Sequence, residues 1–323
     1  MAKYLVTGIA GFIGSKTAEL LLSDGNDVVG VDNLNDYYDP RLKNRRLEGL
    51  VGNDRLEFHR IDIEDGSLVA GLFEKHEFDG VLNLAARAGV RYSMENPHVY
   101  LATNALGTLN LLDSMKNRGV NKMVLASTSS LYAGQEMPFV EGLAVNTPIS
   151  PYAASKKAAE MLAHSYHHLY GIDVSVVRYF TVFGPRGRPD MSIYRFIQWI
   201  ANGHALEVFG NGSQSRDFTF VDDIARGTVA ALREVGFEVM NLGGGKNPIS
   251  LNKVIEWLER MIGKKAERVT KEFHKADIDS TWADISKAER LLGWKPTTGV
   301  EKGLEETVDW HLSNADFLSG IRL

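Results

Sequence analysis

Tyr4-Leu5-Val6-Thr7-Gly8-Ile9-Ala10-Gly11-Phe12-Ile13-Gly14 is a short apolar run that breaks into three evenly spaced glycines, and a helical pattern through Leu20, Leu21 and Leu22 follows. The order is strand, glycine turn, helix. Glycines at 8, 11 and 14 let the backbone turn tightly, approach a pyrophosphate and pack the helix on the strand, while the helix N-terminus offers free N–H groups and a positive dipole end. The spacing differs from the commoner Gly-x-Gly-x-x-Gly, and a glycine triplet by itself also suits an ordinary loop. The next element favours the nucleotide reading. Val28-Val29-Gly30-Val31 reads as a second buried strand that ends at Asp32, where a carboxylate accepts hydrogen bonds from an adenosine ribose. Asn33, Leu34, Asn35 and Asp36 follow, and the nearest arginine is Arg41, so nothing immediately after the strand serves the 2′-phosphate of NADP. The site favours NAD.

Further strands are expected at Leu56–Ile61, Gly80–Leu84 and Lys122–Ala126. The first runs into Asp62-Ile63, where a carboxylate can meet the adenine amino group; an N-cap for the helix after Asp65 explains Asp62 equally well. The second ends in Ala85-Ala86, small enough for a cofactor to lie against the strand ends. The third delivers Ser127-Thr128-Ser129-Ser130 to its carboxyl end. Strands alternating with helices through residue 180 give an α/β, Rossmann-like, doubly wound parallel sheet whose ligands sit beyond the carboxyl ends of the strands. The segment Pro97–Met115 is apolar on nearly all sides, which implies a helix buried against the sheet on one side and a second subunit on the other.

Ser150-Pro151-Tyr152-Ala153-Ala154-Ser155-Lys156 adds chemistry to that edge. Ser150 is a good N-cap and Pro151 suits the first helical position, so Tyr152 and Lys156 fall one turn apart on one face. A tyrosine has an ordinary pKa of about 10, and bringing it to 7 takes roughly 4 kcal/mol of preferential stabilisation of the phenolate, which an ammonium and a cationic cofactor can supply together. Alone, Tyr-x-x-x-Lys fits two amphipathic side chains on a surface better than catalysis. Its place after a dinucleotide site gives it weight.

Composition narrows the classes. The chain has 323 residues, 44% hydrophobic and 24% charged, which suits a soluble protein of two unequal lobes. It has no cysteine, so disulfides, thiolate zinc sites, iron–sulfur clusters and cysteine nucleophiles are excluded, and the cytoplasm is the default compartment. No apolar run approaches the ~18–20 residues that span a bilayer, and no signal peptide is recognisable, so no membrane role is expected. Net charge is −5. The one basic run, Arg41 to Arg46, reads as a solvated helix face, which leaves nucleic acid an unsuitable partner.

The glycine pattern, Asp32, Asp62, Asn83-Leu84-Ala85-Ala86, the Ser/Thr run, Tyr152-x-x-x-Lys156 and Arg178-Tyr179-Phe180-Thr181-Val182-Phe183-Gly184-Pro185 together resemble the extended short-chain dehydrogenase/reductase family of nucleotide-sugar enzymes. The resemblance covers nearly the whole chain. Within that family it is nearest the UDP-glucuronate 4-epimerases, through Asp32-Asn33-Leu34-Asn35-Asp36-Tyr37-Tyr38-Asp39, Ala88-Gly89-Val90-Arg91, Gly187-Arg188-Pro189-Asp190-Met191 and Ser215-Arg216-Asp217-Phe218-Thr219. Leu131-Tyr132-Ala133-Gly134 departs from the usual Val-Tyr-Gly. The resemblance implies NAD as a returned cofactor, a UDP-sugar substrate, a homodimer and no metal.

It also implies roles. Tyr152 is the base, Thr128 orients the sugar hydroxyl, and Lys156 lowers the tyrosine pKa and holds the nicotinamide ribose. NAD is implied to touch Gly8, Gly11, Phe12, Ile13, Gly14, Asp32, Asn33, Asp62, Ile63, Ala85, Ala86, Asn104, Tyr152, Lys156 and Tyr179. The UDP-sugar is implied to touch Val90, Arg91, Thr128, Ser129, Ser130, Thr181, Arg188, Arg216 and Asp277. A 4,6-dehydratase would carry an Asp-Glu pair where Ser129 and Ser130 stand, and a UDP-glucuronate decarboxylase a glutamate in place of Ser130. Thr181 stands where UDP-glucose epimerases usually have asparagine.

Residues 1–180 are expected to form the NAD-binding domain, with 218–247 returning to it, and 181–217 with 248–323 a smaller C-terminal α/β lobe for the nucleotide sugar. Arg186, Arg188 and Arg216 suit phosphate binding, against the alternative of salt bridges to Asp190 and Asp217. Trp257, Trp282, Trp294 and Trp310 read as core rather than ligand platforms. His164, His167 and His168 have zinc-like spacing on a helix, but no partner pattern accompanies them and a wet helix face is the better reading. A non-catalytic NAD-sensing regulator on the same fold is the rival from another class. Such proteins usually lack the Tyr–Lys pair.

Overall fold

The computed structural model describes residues 1–246, 248–272 and 278–322. Six parallel strands come first in the chain: β1 (Lys3–Thr7), β2 (Asp27–Val31), β3 (Leu56–His59), β4 (Gly80–Asn83), β5 (Lys122–Thr128) and β6 (Asp173–Tyr179). Their spatial order is β3-β2-β1-β4-β5-β6, and the strand Phe237–Leu242 pairs in parallel with β6 to close a seven-stranded sheet. The chain reverses direction across the sheet between β1 and β4, which opens a crevice at their carboxyl ends.

Alternation along the strands fills two core layers. Val6 of β1 and Val124 of β5 point to one layer, where the helices Phe12–Ser23 and Val221–Ala230 pack. Leu5, Met123 and Leu125 point to the other, with helices Gly66–Lys75, Gly107–Arg118 and Pro151–Tyr170. A separate cluster of Phe183, Phe196, Ile197, Ile255, Leu258 and Leu304 holds helices Ser192–Asn202, Leu251–Ile262 and Val300–Ser313 over the carboxyl end of the sheet. Trp294 is buried against the first layer and its indole N–H donates to the Asp223 carbonyl at 2.8 Å.

Three expectations change. The helix from Pro97 is interrupted: residues Leu101–Leu106 form a π-helix between Pro97–Tyr100 and Gly107–Arg118, a local widening of the kind that recurs at functional sites. Strand β5 runs two residues further than its apolar pattern and so carries Ser127 and Thr128 within the sheet. The basic run is not uniformly solvated. Lys43 and Arg46 are buried while Arg41 and Arg45 face solvent, because the helix Pro40–Glu48 turns one side toward the crevice.

Candidate active site

A cavity of about 490 Å³ opens along the carboxyl edge, from the glycine turn past β4 and β5 to the second lobe. Its first wall is the turn itself. Gly8 has φ +69°, and a Cβ there would meet the Ala85 backbone nitrogen at 2.7 Å, so neither the backbone nor the space admits a side chain. The helix Phe12–Ser23 begins after Gly11 with no side-chain cap, which leaves its first N–H groups for an anion. Asp32 ends β2 and accepts hydrogen bonds from the backbone N–H of Ala10 and Leu34 at 3.2 and 2.8 Å. Asp62 accepts from the Asn33 amide at 2.7 Å and from the N–H of Glu64 at 3.0 Å, while the N-cap of the helix Gly66–Lys75 is Asp65. Asp62 is therefore not that cap, and it lines the cavity.

The opposite wall carries the acid–base groups. Ser150 caps its helix through the Ala153 N–H at 3.2 Å, and Tyr152 and Lys156 both face the cavity. Burial pushes the Tyr152 hydroxyl above its ordinary pKa, opposed by the hydrogen bond from Thr128 and the charge of Arg188. Burial also draws the Lys156 ammonium down to about 8, opposed by Glu160. The protein alone thus keeps the phenol protonated, and the further positive charge that would ionise it has to arrive with the ligand. The Thr128 hydroxyl accepts the Ser130 N–H at 3.1 Å and donates to the Ser130 hydroxyl at 3.1 Å, so Thr128 caps the turn Ser129–Tyr132 while both residues line the cavity.

Of the residues implied by resemblance, Gly8, Gly11, Phe12, Ile13, Gly14, Asp32, Asn33, Asp62, Ile63, Ala85, Ala86 and Tyr179 line the cavity, as do Val90, Ser129, Ser130, Thr181, Arg188 and Arg216. Asn104 does not. It is buried behind the wall, where its side chain holds both the N–H and the carbonyl of Arg87 and donates to the Ser155 hydroxyl at 2.8 Å. Arg91 is also outside the lining, with its guanidinium stacked 3.8 Å from the centroid of Phe209. Asp277 lies outside the described residues.

The arginines divide. Arg188 is bidentate to Asp190, with Nε at 3.0 Å and Nη2 at 2.5 Å, and stays at the cavity surface. Arg216 donates to the carbonyls of Ser215 and Asp279 at 2.8 and 3.1 Å. Arg186 pairs with neither aspartate; its guanidinium lies beside Gly49. Asp217 receives backbone N–H groups from Ala283 and Gly245 in place of an arginine, and burial raises its pKa to about 6.

Sequence reasoning missed Lys43 and Arg87. Both line the cavity, and the Lys43 ammonium is buried 3.7 Å from the Asp32 carboxylate. Burial holds Lys43 below the ordinary lysine range, opposed by Asp32. Arg46 was missed as well. It is fully buried and its guanidinium donates to the carbonyls of Ala10, Arg186 and Gly187, tying the glycine turn to the loop that carries Arg188. His164 and His168 are exposed on their helix, whereas the His167 ring meets the Ile172 carbonyl at 2.8 Å.

A doubly wound sheet, an uncapped glycine turn, a carboxylate at the end of β2 and a Tyr–Lys pair on one cavity define the dinucleotide-dependent short-chain dehydrogenases/reductases. The chain belongs to the extended, nucleotide-sugar branch of that family: the family model described as GDP-mannose 4,6 dehydratase matches residues 5–307. The UDP-glucuronate 4-epimerase of Thermodesulfobacterium geofontis is 58% identical over 323 residues and each chain is covered in full (100%). The crystal structure of the Bacillus cereus UDP-glucuronic acid 4-epimerase in complex with UDP-glucuronic acid and NAD superposes with a TM-score of 0.91 at 39% identity, over 96% of this chain and 99% of that one. A UDP-glucose 4-epimerase from Thermotoga maritima, solved with UDP-glucose, gives 0.88 at 32% identity over 97% and 99%.

Proposed function

We propose that this protein is a UDP-glucuronate 4-epimerase that interconverts UDP-glucuronate and UDP-galacturonate and uses NAD as a returned cofactor. The observation that carries the reading is the continuity of one cavity, from the Gly8–Gly14 turn and Asp32, past Tyr152 and Thr128, to Arg188 and Arg216. NAD fits the groups present: the uncapped helix N-terminus suits its pyrophosphate, and Asp32 has a carboxylate for the adenosine ribose. Bound there, NAD would supply the acceptor for a hydride from the sugar C4 and the donor for its return to the opposite face.

The chain's own groups do the rest. Tyr152 takes the proton of the C4 hydroxyl and returns it after the sugar has turned over. Thr128 turns its proton from Ser130 toward the reacting oxygen, and Lys156 holds the nicotinamide ribose and adds positive charge near the phenolate. Arg188 and Arg216 anchor the diphosphate while the 4-keto sugar rotates. Arg188 makes the salt bridge to Asp190 that was the alternative to phosphate binding, and the assignment rests instead on its guanidinium lining the same cavity as Tyr152 and Thr128.

Among the described residues no helix is long and apolar enough to cross a membrane. With the absence of cysteine, this supports a cytoplasmic enzyme. Leu101, Leu106 and Met161 are 46–51% exposed on the helical segments that follow Pro97 and Pro151, which supports a homodimer joined through those segments. The experiment that tests the whole reading is incubation of the NAD-loaded protein with UDP-glucuronate, followed by NMR. UDP-galacturonate without net NADH supports it, and Tyr152→Phe abolishes the conversion with folding intact. Rapid turnover of UDP-glucose with none of UDP-glucuronate refutes it.

A further inference from the structure

The edge strand β3 carries a side-chain cluster outside the cavity. Leu56 and Phe58 pack into the first core layer, so Glu57 and His59, which alternate with them, share the opposite face. The helix Gly66–Lys75 covers that face, and the chain leaves it at His76, the C-cap, in extended backbone. One Glu57 carboxylate oxygen lies 2.7 Å from Nε2 of His59 and 3.7 Å from Nε2 of His76. One ligand atom from each of the three residues falls within 4.8 Å of the others. Both ring nitrogens are buried, and neither makes a hydrogen bond, despite the carboxylate beside them. The carboxylate is within reach of His59 without bonding it, and too far from His76 to bond it. Two imidazoles and one carboxylate thus stand close enough together for a single ion to lie between them.

We infer that Glu57, His59 and His76 form a binding site for a first-row divalent transition cation, zinc being the type that two imidazoles and a carboxylate suit, with water as the fourth ligand. Two buried ring nitrogens without partners are costly unless something between them supplies the missing bond. A cation serves both at once. The rival is a proton on each ring, held by Glu57. At 3.7 Å the Glu57 carboxylate is beyond hydrogen-bond distance of His76 Nε2, so it does not hold a proton on that ring. Glu57 has a side-chain exposure of 54%, against 24% for His59 and 12% for His76, so an ion reaches the site from solvent through the carboxylate side. None of the three residues lines the catalytic cavity, which makes the ion structural: it ties the end of a covering helix to an open sheet edge.

The test uses the full, untagged chain after treatment with a chelator. Isothermal titration with zinc is expected to give one site per chain, and zinc is expected to raise the unfolding midpoint by about 3–5 °C. Cobalt at the same site is expected to give visible absorption of the tetrahedral kind. His59→Gln and His76→Gln each weaken binding by about tenfold or more, while His164→Gln, in the helix pair His164/His168, leaves it unchanged. Should a glutamine variant fold poorly, Glu57→Gln at the exposed position gives the same comparison. Absence of saturable uptake at micromolar zinc overturns the inference. So does uptake that survives His59→Gln and His76→Gln.

Discussion

Arg178 on β6 closes both carboxylate oxygens of Glu160, at 2.9 and 2.8 Å, one helical turn beyond Lys156, and both side chains are almost wholly buried. The pair is fully bonded. Ser127 donates to Glu160 at 2.7 Å, and the Arg178 guanidinium donates to the Tyr132 hydroxyl at 2.8 Å, which in turn donates to Asn241. The network joins β5, β6, the Tyr–Lys helix and the strand Phe237–Leu242 beneath the reacting groups. It ties down the helix that carries Lys156 and adds a negative charge that favours its ammonium.

Removing one partner leaves the other charge buried and alone. Glu160→Ala is expected to destabilise the fold by about 3–5 kcal/mol in denaturant unfolding. Glu160→Gln, which keeps the shape, is expected to lower the Lys156 pKa further, because the opposing negative charge is gone. The alkaline limb of kcat/KM then moves to lower pH. An unchanged pH profile in a well-folded Glu160→Gln protein would detach the network from the chemistry.

Lys43 and Asp32 stand 3.7 Å apart at the place assigned to the adenosine ribose. Asp32 repels a 2′-phosphate, but the buried ammonium beside it would attract one. Asp32→Ser is therefore expected to shift preference from NAD toward NADP by about tenfold or more, near 1.4 kcal/mol. The shift should vanish in Asp32→Ser/Lys43→Met. Direct binding of each dinucleotide by fluorescence checks both. An NADP gain that persists without Lys43 would assign it to another group, Arg87 being the nearest candidate on the cavity wall.

Lys156 is a charge held at a cost to stability. Its folded pKa is about 8, below the ordinary 10.5, so between these values the unfolded chain binds more protons and stability rises with pH. Below pH 8 both states are protonated and the penalty is full, on the order of 3 kcal/mol. Lys156→Met, which fills the same space without charge, is expected to abolish turnover and yet raise stability at neutral pH. Its advantage should shrink from pH 8 toward 10.5. Urea unfolding of both proteins at neutral and alkaline pH measures this, and a Met variant less stable at neutral pH would contradict it.

The parts of the site that were legible in the sequence are those whose function is local. The Gly8–Gly14 turn, Asp32 at the end of β2 and the capped Tyr152 helix each need only their own neighbours in the chain, and they stand together in the structure. What escaped reading depends on packing between distant elements. Lys43 and Arg46 lie in a basic helix whose buried side is set by the crevice it leans on, not by an apolar stripe. Arg91 leaves the cavity because Phe209, more than a hundred residues away, offers its ring. The Glu160–Arg178 pair left only a weak trace, a carboxylate four residues after Lys156, and nothing near it pointed to its partner. The π-turn at Leu101–Leu106 has no period to detect, since it inserts one irregular turn into a continuous apolar segment.

The last expectation concerns the fate of the substrate carboxylate. Oxidation at C4 makes a β-keto acid, which loses carbon dioxide readily when its carboxylate is desolvated and aligned with the new carbonyl. An epimerase must therefore hold that carboxylate in another orientation and keep it hydrogen-bonded. Ser129, Ser130 and Thr181 line the cavity, as Thr128 does, and all are neutral donors, suited to hold an anion without giving it a proton. Ser130 is already tied to Thr128 at 3.1 Å, which fixes its hydroxyl and makes it the more rigid of the two serines. Thr181→Ala and Ser129→Ala are expected to lower kcat for epimerisation by about ten- to a hundredfold, since each removes one hydrogen bond to a charged group, worth about 1.5–3 kcal/mol. They should also release a measurable fraction of UDP-pentose and carbon dioxide, and the unmodified protein is expected to release none. NMR of the product mixture counts both outcomes in one experiment. Slower epimerisation with no pentose would leave the hydroxyls as binding groups and place protection of the carboxylate elsewhere in the cavity.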